Sequence, residues 1–178
     1  MDLAISRWFY ETFSNNKPLS MVMRILTEIG SWWFIVGAVI VLLCFKKTRK
    51  LGVFVGFACL FAYVANNLII KNIVQRARPF EVDGSLAGIC NLVGYELPPD
   101  YSMASGHSTA TMAFAFMVFL FNKKAGAFAI IASVVVGLTR IYLCVHFLTD
   151  VIVGFIVGIT FAILVYFLLK YICNKYLK

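Results

Sequence analysis

The order of hydrophobic and polar positions along the chain predicts a bundle of membrane-spanning helices. Long apolar runs alternate with short polar or charged segments. A helix of about 17–25 apolar residues crosses the roughly 30 Å hydrocarbon layer of a bilayer. Runs that meet or approach this length predict an all-α polytopic membrane bundle of about five transmembrane helices, in a single domain covering residues 1–178. The five predicted spans are residues 19–45, 51–70, 105–121, 125–142 and 147–172.

The first eighteen residues have a different pattern. Apolar residues between Leu3 and Phe13 approximate one face of a helix, and the segment from Asn15 to Pro18 ends the pattern. We therefore expect residues 1–18 to form an amphipathic helix that lies in the outer membrane interface, with a crossing helix as the alternative. A cleaved signal peptide is disfavoured because the segment has no basic start and no long apolar core.

Composition supports a membrane protein and excludes several other classes. Hydrophobic residues make up 62% of the chain and charged residues 13%, with a mean hydropathy of +0.90. An average soluble domain has about 25% charged and about 45–50% apolar residues. A chain of 178 residues has too little interior to hide this much apolar surface from water. An ordinary soluble domain, a disordered chain and a small disulfide scaffold are therefore excluded.

The five cysteines predict neither a metal site nor a disulfide framework, because their number is odd and they form no C-x-x-C pair. We expect them to be small, buried, apolar side chains. Cys90 and Cys144 both fall on the predicted outer side, so one disulfide between them is the alternative.

The charged residues sort by side of the membrane. The chain has 16 Lys and Arg against 8 Asp and Glu, and its formal net charge is +8. Nucleic acid is disfavoured as a partner because the basic residues form short clusters between apolar runs. The predicted spans put nine basic residues and no acid on one side, which the positive-inside rule makes cytoplasmic. The C-terminus is then cytoplasmic, and residues 71–107 face outward. The nine residues are Lys46, Lys47, Arg49, Lys50, Lys123, Lys124, Lys170, Lys175 and Lys178.

Polar residues near the outer ends of the later spans are the candidate functional residues. Ionisable groups are costly at membrane depth, so each is a functional hypothesis. They fall in three groups, and each group alone has a simpler explanation as a basic helix cap or a polar turn. The groups are Lys71, Arg76 and Arg78; Ser105, Gly106 and His107; and Thr139, Arg140, His146 and Asp150.

Taken together, the three groups indicate phosphate chemistry. All of them lie at outer helix ends, so we expect three of the four cations, two histidines, a serine and a carboxylate to meet in one pocket. Three cations around a point favour a phosphate ligand, and two histidines supply a nucleophile or base and an acid. His146 and Asp150 share a helix face, so the carboxylate can fix the imidazole tautomer. No other motif carboxylate is left for a metal, and we expect metal-independent phosphoryl transfer without a cofactor.

The three groups resemble the signatures of the type-2 phosphatidic acid phosphatase superfamily, which are K-x6-R-P, P-S-G-H and S-R-x5-H-x3-D. Ala104 replaces the usual proline and Thr139 the usual serine, and neither change removes a catalytic group. Family members often have six spans, and we expect the amphipathic N-terminal segment to stand in place of the sixth. In this sequence the signatures read Lys71-x6-Arg78-Pro79, Ala104-Ser105-Gly106-His107 and Thr139-Arg140-x5-His146-x3-Asp150.

The resemblance implies a role for each matching residue. His146 would attack phosphorus to form a phosphohistidine, Asp150 would orient and activate His146, and His107 would protonate the leaving oxygen. Water would then hydrolyse the phosphoenzyme. Arg76 lies outside the signatures, and we expect it to contact a headgroup or a loop. The residues that would hold the phosphoryl oxygens are Lys71, Arg78, Ser105, Gly106 and Arg140.

The substrate follows from the position of the pocket. Residues 79–102 form a long outer loop that we expect to act as a lid or to recognise a headgroup, with an inert interfacial loop as the alternative. A pocket at outer helix ends suits a lipid phosphate within the membrane. The chain resembles bacterial family members that act on undecaprenyl diphosphate, phosphatidylglycerophosphate or phosphatidic acid, and an outward site favours the first. The alternative from another class is an inactive protein that binds or transports lipid. The sequence does not define an oligomeric state.

Overall fold

A computed structural model describes residues 1–176, and this part of the chain contains helices and no strand. Lys178, which the sequence assigns to the inner side, lies outside the described residues. Two 3₁₀ turns, Glu28–Gly30 and Gly84–Ala87, and one π-helical segment, Ala65–Ile70, connect α-helices. The α-helices are α1 (Asp2–Phe13), α2 (Lys17–Thr27), α3 (Trp32–Cys44), α4 (Arg49–Val64), α5 (Lys71–Val74), α6 (Pro79–Val82), α7 (Gly88–Val93), α8 (Gly106–Phe121), α9 (Lys123–Tyr142) and α10 (Leu148–Tyr176).

Several of these helices are long and apolar enough to cross a membrane. Three stretches in the described part of the chain meet that standard: Arg49–Val82, Lys123–Tyr142 and Leu148–Lys175. A bent pair of helices, Lys17–Gly30 with Trp32–Cys44, raises the number to four if it forms one span. Helix α8 is apolar but has only 16 residues. The helices support a polytopic membrane bundle, and the count of five spans stays a prediction.

The first predicted span, residues 19–45, is not one straight helix. It bends by 49° between Gly30 and Trp32. Ser31 has an extended backbone, and its hydroxyl accepts a hydrogen bond from the Phe34 N–H at 3.3 Å, so it caps a new helix. The sequence predicts one span because long apolar stretches flank the corner, although Glu28, Gly30 and Ser31 interrupt the apolar pattern there.

The core of the bundle forms around α8. Helices α3, α4, α9 and α10 pack against it, and small residues allow the closest approach. A Cβ atom on Gly158 would lie 2.6 Å from the Thr109 carbonyl oxygen, and one on Gly154 would lie 2.9 Å from the Ser105 carbonyl oxygen. The absence of side chains at these two glycines therefore brings the start of α8 close to the second and third turns of α10. The buried core includes Val55, Ala58, Ala62, Ala113, Met117 and Ala162.

A second apolar cluster closes the end of the bundle where α8 and α10 begin. Leu3, Phe9 and Phe13 of α1 pack against this cluster. The apolar face of α1 thus contacts protein, and its predicted place in the outer membrane interface stays a prediction. The buried members of the cluster are Leu86, Ile89, Cys90, Val93, Tyr142, Leu143, Cys144 and Val145.

The two cysteines in this second cluster are not joined. All five cysteines are free thiols. Cys59, Cys90 and Cys144 are buried as expected, whereas Cys44 is exposed and Cys173 is half-buried. The Cys90 thiol donates to the Leu143 carbonyl oxygen at 3.1 Å, and the Cys144 thiol donates to the Ser6 carbonyl oxygen at 3.5 Å. The pair therefore serves as apolar packing in this structure.

Candidate active site

The three sequence groups come together at one end of the bundle, around a cavity of about 760 Å³. They reach it from the chain that follows α4, from the start of α8, and from the turn between α9 and α10. Ser105 and Asp150 do not line the cavity and are fully buried behind its wall. The six predicted site residues that line it are Lys71, Arg78, Gly106, His107, Arg140 and His146.

Lys71 and Arg78 are buried cations that share one carboxylate. Their exposed fractions are 5% and 1%. Asp100, in the outer loop, accepts a hydrogen bond from Arg78 Nη2 at 2.6 Å through Oδ1 and pairs with Lys71 Nζ through Oδ2. Burial raises the pKa of Asp100, but its contacts with Lys71 and Arg78 outweigh this effect and hold the pKa below its usual value. Asp100 is therefore ionised at neutral pH.

Arg140 approaches the cavity from the end of α9 and is only 1% exposed. Its Nη1 donates to Thr27 Oγ1 and to Tyr95 Oη, each at 2.7 Å. Its Nε is buried and has no hydrogen-bond partner within residues 1–176. A buried donor without a partner costs on the order of 1–3 kcal/mol. Arg140 therefore offers an unused N–H to an anion in the cavity.

His146 lies between α9 and α10 with its two ring nitrogens in different surroundings. Nε2 lies 3.3 Å from Arg78 Nη1, while Nδ1 lies 3.7 Å from Asp150 Oδ2, too far for a hydrogen bond. Burial lowers the pKa of His146 to about 3. The imidazole is therefore neutral at pH 7, as a nucleophile requires.

Asp150 is held by several groups besides His146. Its Oδ2 accepts hydrogen bonds from Ser102 Oγ at 2.5 Å and from the Phe147 N–H at 2.8 Å. Its Oδ1 accepts from Arg76 Nη1 at 2.6 Å. Ser102 Oγ also lies 3.5 Å from His146 Nδ1. The histidine and carboxylate that the sequence pairs are thus part of a larger polar cluster.

The second sequence group begins helix α8. Ser105 is its N-cap, and the Ser105 hydroxyl accepts a hydrogen bond from Ser108 Oγ at 3.0 Å. Because this hydroxyl is buried, its contact with a phosphate stays a prediction. Gly106 is the first residue of the helix and lines the cavity. The His107 ring also lines the cavity and makes no hydrogen bond within residues 1–176, so it is free to reach a ligand.

Gly30, at the corner between α2 and α3, lies against His107. A Cβ atom there would come within 2.8 Å of His107 Cδ2 and 2.7 Å of Val136 Cγ1. Only glycine fits this position without displacing a neighbour. The bend that the sequence did not predict therefore sets the position of a predicted site residue.

Four residues that the sequence did not assign to the site contact it directly. Asp100 accepts a hydrogen bond from Arg78, and Tyr95 accepts one from Arg140. Ser102 and Arg76 each donate a hydrogen bond to Asp150. Arg76 contacts the outer loop, as expected, through its carbonyl oxygen, which accepts a hydrogen bond from the Ser102 N–H, and its side chain lies beside Asp150 at the start of α10. The sequence indicates a functional role for Arg76 only because it is an ionisable residue near the outer end of a span, where a charge is energetically costly. Nothing local distinguishes the other three from ordinary loop residues.

The arrangement suits an anion that is attacked by a nitrogen nucleophile. Three cations, a neutral imidazole and a second histidine surround one cavity. Within residues 1–176, no group of three or more His, Cys, Asp or Glu side chains is placed to hold a metal ion. The site can therefore bind a tetrahedral anion by charge and hydrogen bonds from side chains alone.

Known proteins are similar to this chain in sequence and in fold. The chain is 30% identical over 152 residues to an undecaprenyl-diphosphatase from Sulfolobus acidocaldarius, which covers 82% of this chain and 68% of the relative. It is 29% identical over 150 residues to the bacitracin transport permease protein BcrC from Bacillus licheniformis, with 83% and 70% covered. A crystal structure of a transmembrane PAP2-type phosphatidylglycerolphosphate phosphatase from Bacillus subtilis superposes with a TM-score of 0.72 at 24% identity, covering 96% of this chain and 85% of that one.

The family itself is shown by a separate match over more than half of the chain. Residues 51–172 match the PAP2 superfamily, and this range contains all three signature groups. The chain belongs to the PAP2 superfamily, the type-2 phosphatidic acid phosphatases, and is a membrane lipid phosphatase of that type.

Proposed function

We propose that this chain hydrolyses undecaprenyl diphosphate to undecaprenyl phosphate at the outer face of the cell membrane. The observation that carries the proposal is a single cavity that joins buried cations to an exposed aromatic rim. A phosphate can bind at the cations while an apolar chain leaves through the rim into lipid. The rim residues are Trp32, Trp33 and Tyr63, which are 56%, 70% and 55% exposed.

His146 is the proposed nucleophile. Its Nε2, on the side of Arg78, attacks phosphorus, and the bond between phosphorus and the leaving oxygen breaks. His107 gives its proton to that oxygen. Asp150 stabilises the positive charge on the phosphorylated imidazole. Water then attacks phosphorus, its proton passes to His107, and the broken P–N bond returns its electron pair to Nε2.

The three cations are proposed to hold the non-bridging phosphoryl oxygens. Phosphoryl transfer depends mainly on positioning and on stabilising the charge of these oxygens. Removal of one such donor typically costs about 100- to 1000-fold in rate. The unused Nε–H of Arg140 and the first amides of α8, beside Ser105 and Gly106, are suited to this task.

The substrate and the orientation rest on separate arguments. The 30% identical relative is named as an undecaprenyl-diphosphatase, which supports the diphosphate. The acid-free cluster of basic residues at Lys46–Lys50 and Lys123–Lys124 supports a cytoplasmic location for the end of the bundle opposite the cavity. Phosphatidylglycerophosphate is the second candidate substrate, because the superposed Bacillus subtilis enzyme is named for it.

Phosphate release by purified protein tests the function. We expect the highest kcat/KM for undecaprenyl diphosphate among that lipid, phosphatidylglycerophosphate, phosphatidic acid and a soluble phosphate ester. A preference for phosphatidylglycerophosphate would replace the proposed substrate, and equal rates on the soluble ester would contradict a role for the lipid chain. Turnover should be unchanged in EDTA, and a magnesium requirement would overturn the metal-free mechanism.

The nucleophile and the orientation need their own measurements. His146→Ala should abolish turnover and phosphoenzyme formation, whereas Lys124→Ala, at the opposite end, should leave both unchanged. In a background without native cysteines, a membrane-impermeant maleimide should label Ser85→Cys but not Lys124→Cys in intact cells. The reverse labelling pattern would invert the proposed topology.

A further inference from the structure

Arg76 joins the N-terminal helix to the carboxylate behind His146. Its Nη1 donates to Asp150 Oδ1 and to Thr149 Oγ1, each at 2.6 Å, and its Nη2 donates to Asp2 Oδ2 at 2.8 Å. The Thr149 hydroxyl donates to the same Asp2 oxygen at 2.5 Å. One guanidinium thus bridges two carboxylates that lie 148 positions apart in the chain.

The backbone of Arg76 reaches the other oxygen of Asp150. The Arg76 carbonyl oxygen accepts a hydrogen bond from the Ser102 N–H at 2.9 Å, and the Ser102 hydroxyl donates to Asp150 Oδ2 at 2.5 Å. Arg76 therefore fixes Oδ1 with its side chain and helps to fix Oδ2 through Ser102. No other residue in the described part of the chain contacts both sides of this carboxylate in this way.

Arg76 lies outside the cavity that Lys71, Arg78 and Arg140 line. Its guanidinium stacks on the Phe147 ring with its Cζ 4.1 Å from the ring centroid. Its charge is already engaged by Asp2 and Asp150. Arg76 is therefore poorly placed to contact the substrate phosphate directly. Its contacts instead hold the Asp150 carboxylate in position.

We infer that Arg76 is a positioning residue for the phosphatase reaction, which holds Asp150 in place for His146 and is itself held by Asp2 of α1. The inference rests on the proposed roles of His146 and Asp150. Its consequence is that α1, which lies outside the three family signatures, completes the catalytic machinery of this chain. Loss of the guanidinium would leave two carboxylates facing each other without a cation between them.

The test separates kcat from KM. Arg76→Gln should lower kcat about 10- to 100-fold and change KM by less than about twofold, because the residue orients a reacting group and does not bind substrate. Arg76→Lys should restore part of the loss, since an ammonium keeps the charge but cannot bridge both carboxylates. Asp2→Asn should lower kcat about three- to tenfold.

A matched control comes from the same helix. Arg7 of α1 pairs with Asp83 at 2.8 Å, and neither of these two residues contacts Asp150 or the cavity. Arg7→Gln should leave kcat within about twofold of the wild type. If Arg7→Gln lowers kcat as much as Asp2→Asn does, the contact only anchors α1 and the inference is wrong.

Double variants distinguish positioning from general damage to the fold. Arg76→Gln should add no further loss in an Asp150→Asn background, because both changes remove the same function. Multiplying losses, a raised KM with unchanged kcat, or full activity of Arg76→Gln would each overturn the inference. If Arg76→Gln fails to fold, the conservative Arg76→Lys and Asp2→Asn variants decide by the same kcat criterion. If His146→Ala and Asp150→Asn both stay active, the proposed mechanism itself is wrong. If these two variants lose activity but the Arg76 and Asp2 variants do not, only the role of Arg76 is wrong.

Discussion

Asp100 occupies the place where the proposed substrate phosphate would bind, and its removal gives a sharp prediction. The carboxylate accepts from Arg78 Nη2 at 2.6 Å and also pairs with Lys71. An incoming phosphate must displace this carboxylate or share the two cations with it. Asp100→Asn keeps the shape of the side chain and removes the competing charge.

The size of the effect follows from charge and exposure. Two unit charges about 4 Å apart interact by about 4 kcal/mol at an effective dielectric constant of 20. The Asp100 side chain is 50% exposed, so water and the displaced contacts reduce this to about 1–2 kcal/mol. We therefore expect inorganic phosphate to inhibit Asp100→Asn with a Ki about 5- to 30-fold lower than that of the wild type.

The same change should make folding depend on the anion. Without Asp100, the buried Lys71 and Arg78 lose a shared partner, so the phosphate-free variant should unfold at a lower temperature than the wild type. Added phosphate should raise the unfolding temperature more in the variant than in the wild type. Asp83→Asn is the control, because Asp83 belongs to the same outer loop and pairs with the exposed Arg7.

Inhibition assays and thermal unfolding in detergent measure both effects. An unchanged or higher Ki for Asp100→Asn, together with equal phosphate stabilisation, would refute the reasoning. An unchanged Ki would show that Asp100 does not compete with phosphate, and a higher Ki would show that Asp100 supports phosphate binding.

Three further predictions concern the surroundings of the site. Gly30→Ala should lower kcat at least about tenfold, since its Cβ would displace the His107 ring, whereas Gly37→Ala, with nothing within 4 Å, should not. Burial lowers the pKa of His146 to about 3, while the unfolded chain binds this proton near 6.5, so the stability that it contributes is present above pH 6.5 and lost as the pH falls from 6.5 to 3. Between pH 6.5 and pH 3 this loss is about 1.4 kcal/mol per pH unit. In that range the unfolding free energy of His146→Gln should therefore depend less steeply on pH than that of the wild type, by about 1.4 kcal/mol per pH unit. Gly158→Ala should destabilise the protein by about 1–3 kcal/mol in denaturant unfolding, because its Cβ would meet the α8 backbone; the same Gly37→Ala control should change little.

The hydrophobic pattern predicts the straight helices better than the bent one. Predicted residues 125–142 and 147–172 nearly coincide with α9 and α10, because a continuous apolar run in lipid has no alternative to a helix. The apolar pattern does not predict the corner at Ser31, although Glu28, Gly30 and Ser31 interrupt the apolar run there. Its cause is the packing of Gly30 against His107, a contact between distant parts of the chain.

The site also has a part that the sequence predicts and a part that it does not. The cations and histidines are visible in the sequence because a charged group at membrane depth is costly and therefore conspicuous. Asp100 and Ser102 lie in a polar loop, where such residues cost nothing, so the sequence gives no reason to single them out. Their roles depend on contacts with Arg78, 22 residues away, and with Asp150, 48 residues away.

The aromatic rim of the cavity gives the protein a built-in optical probe. The chain has three tryptophans, and Trp32 and Trp33 stack at the rim with ring centroids 3.6 Å apart. The third, Trp8 of α1, is not part of the cavity wall. In a Trp8→Phe variant, all tryptophan fluorescence would therefore come from the rim. A lipid chain that replaces water around these indoles shifts their emission to shorter wavelength, so substrate arrival and product departure can be followed in real time without a label.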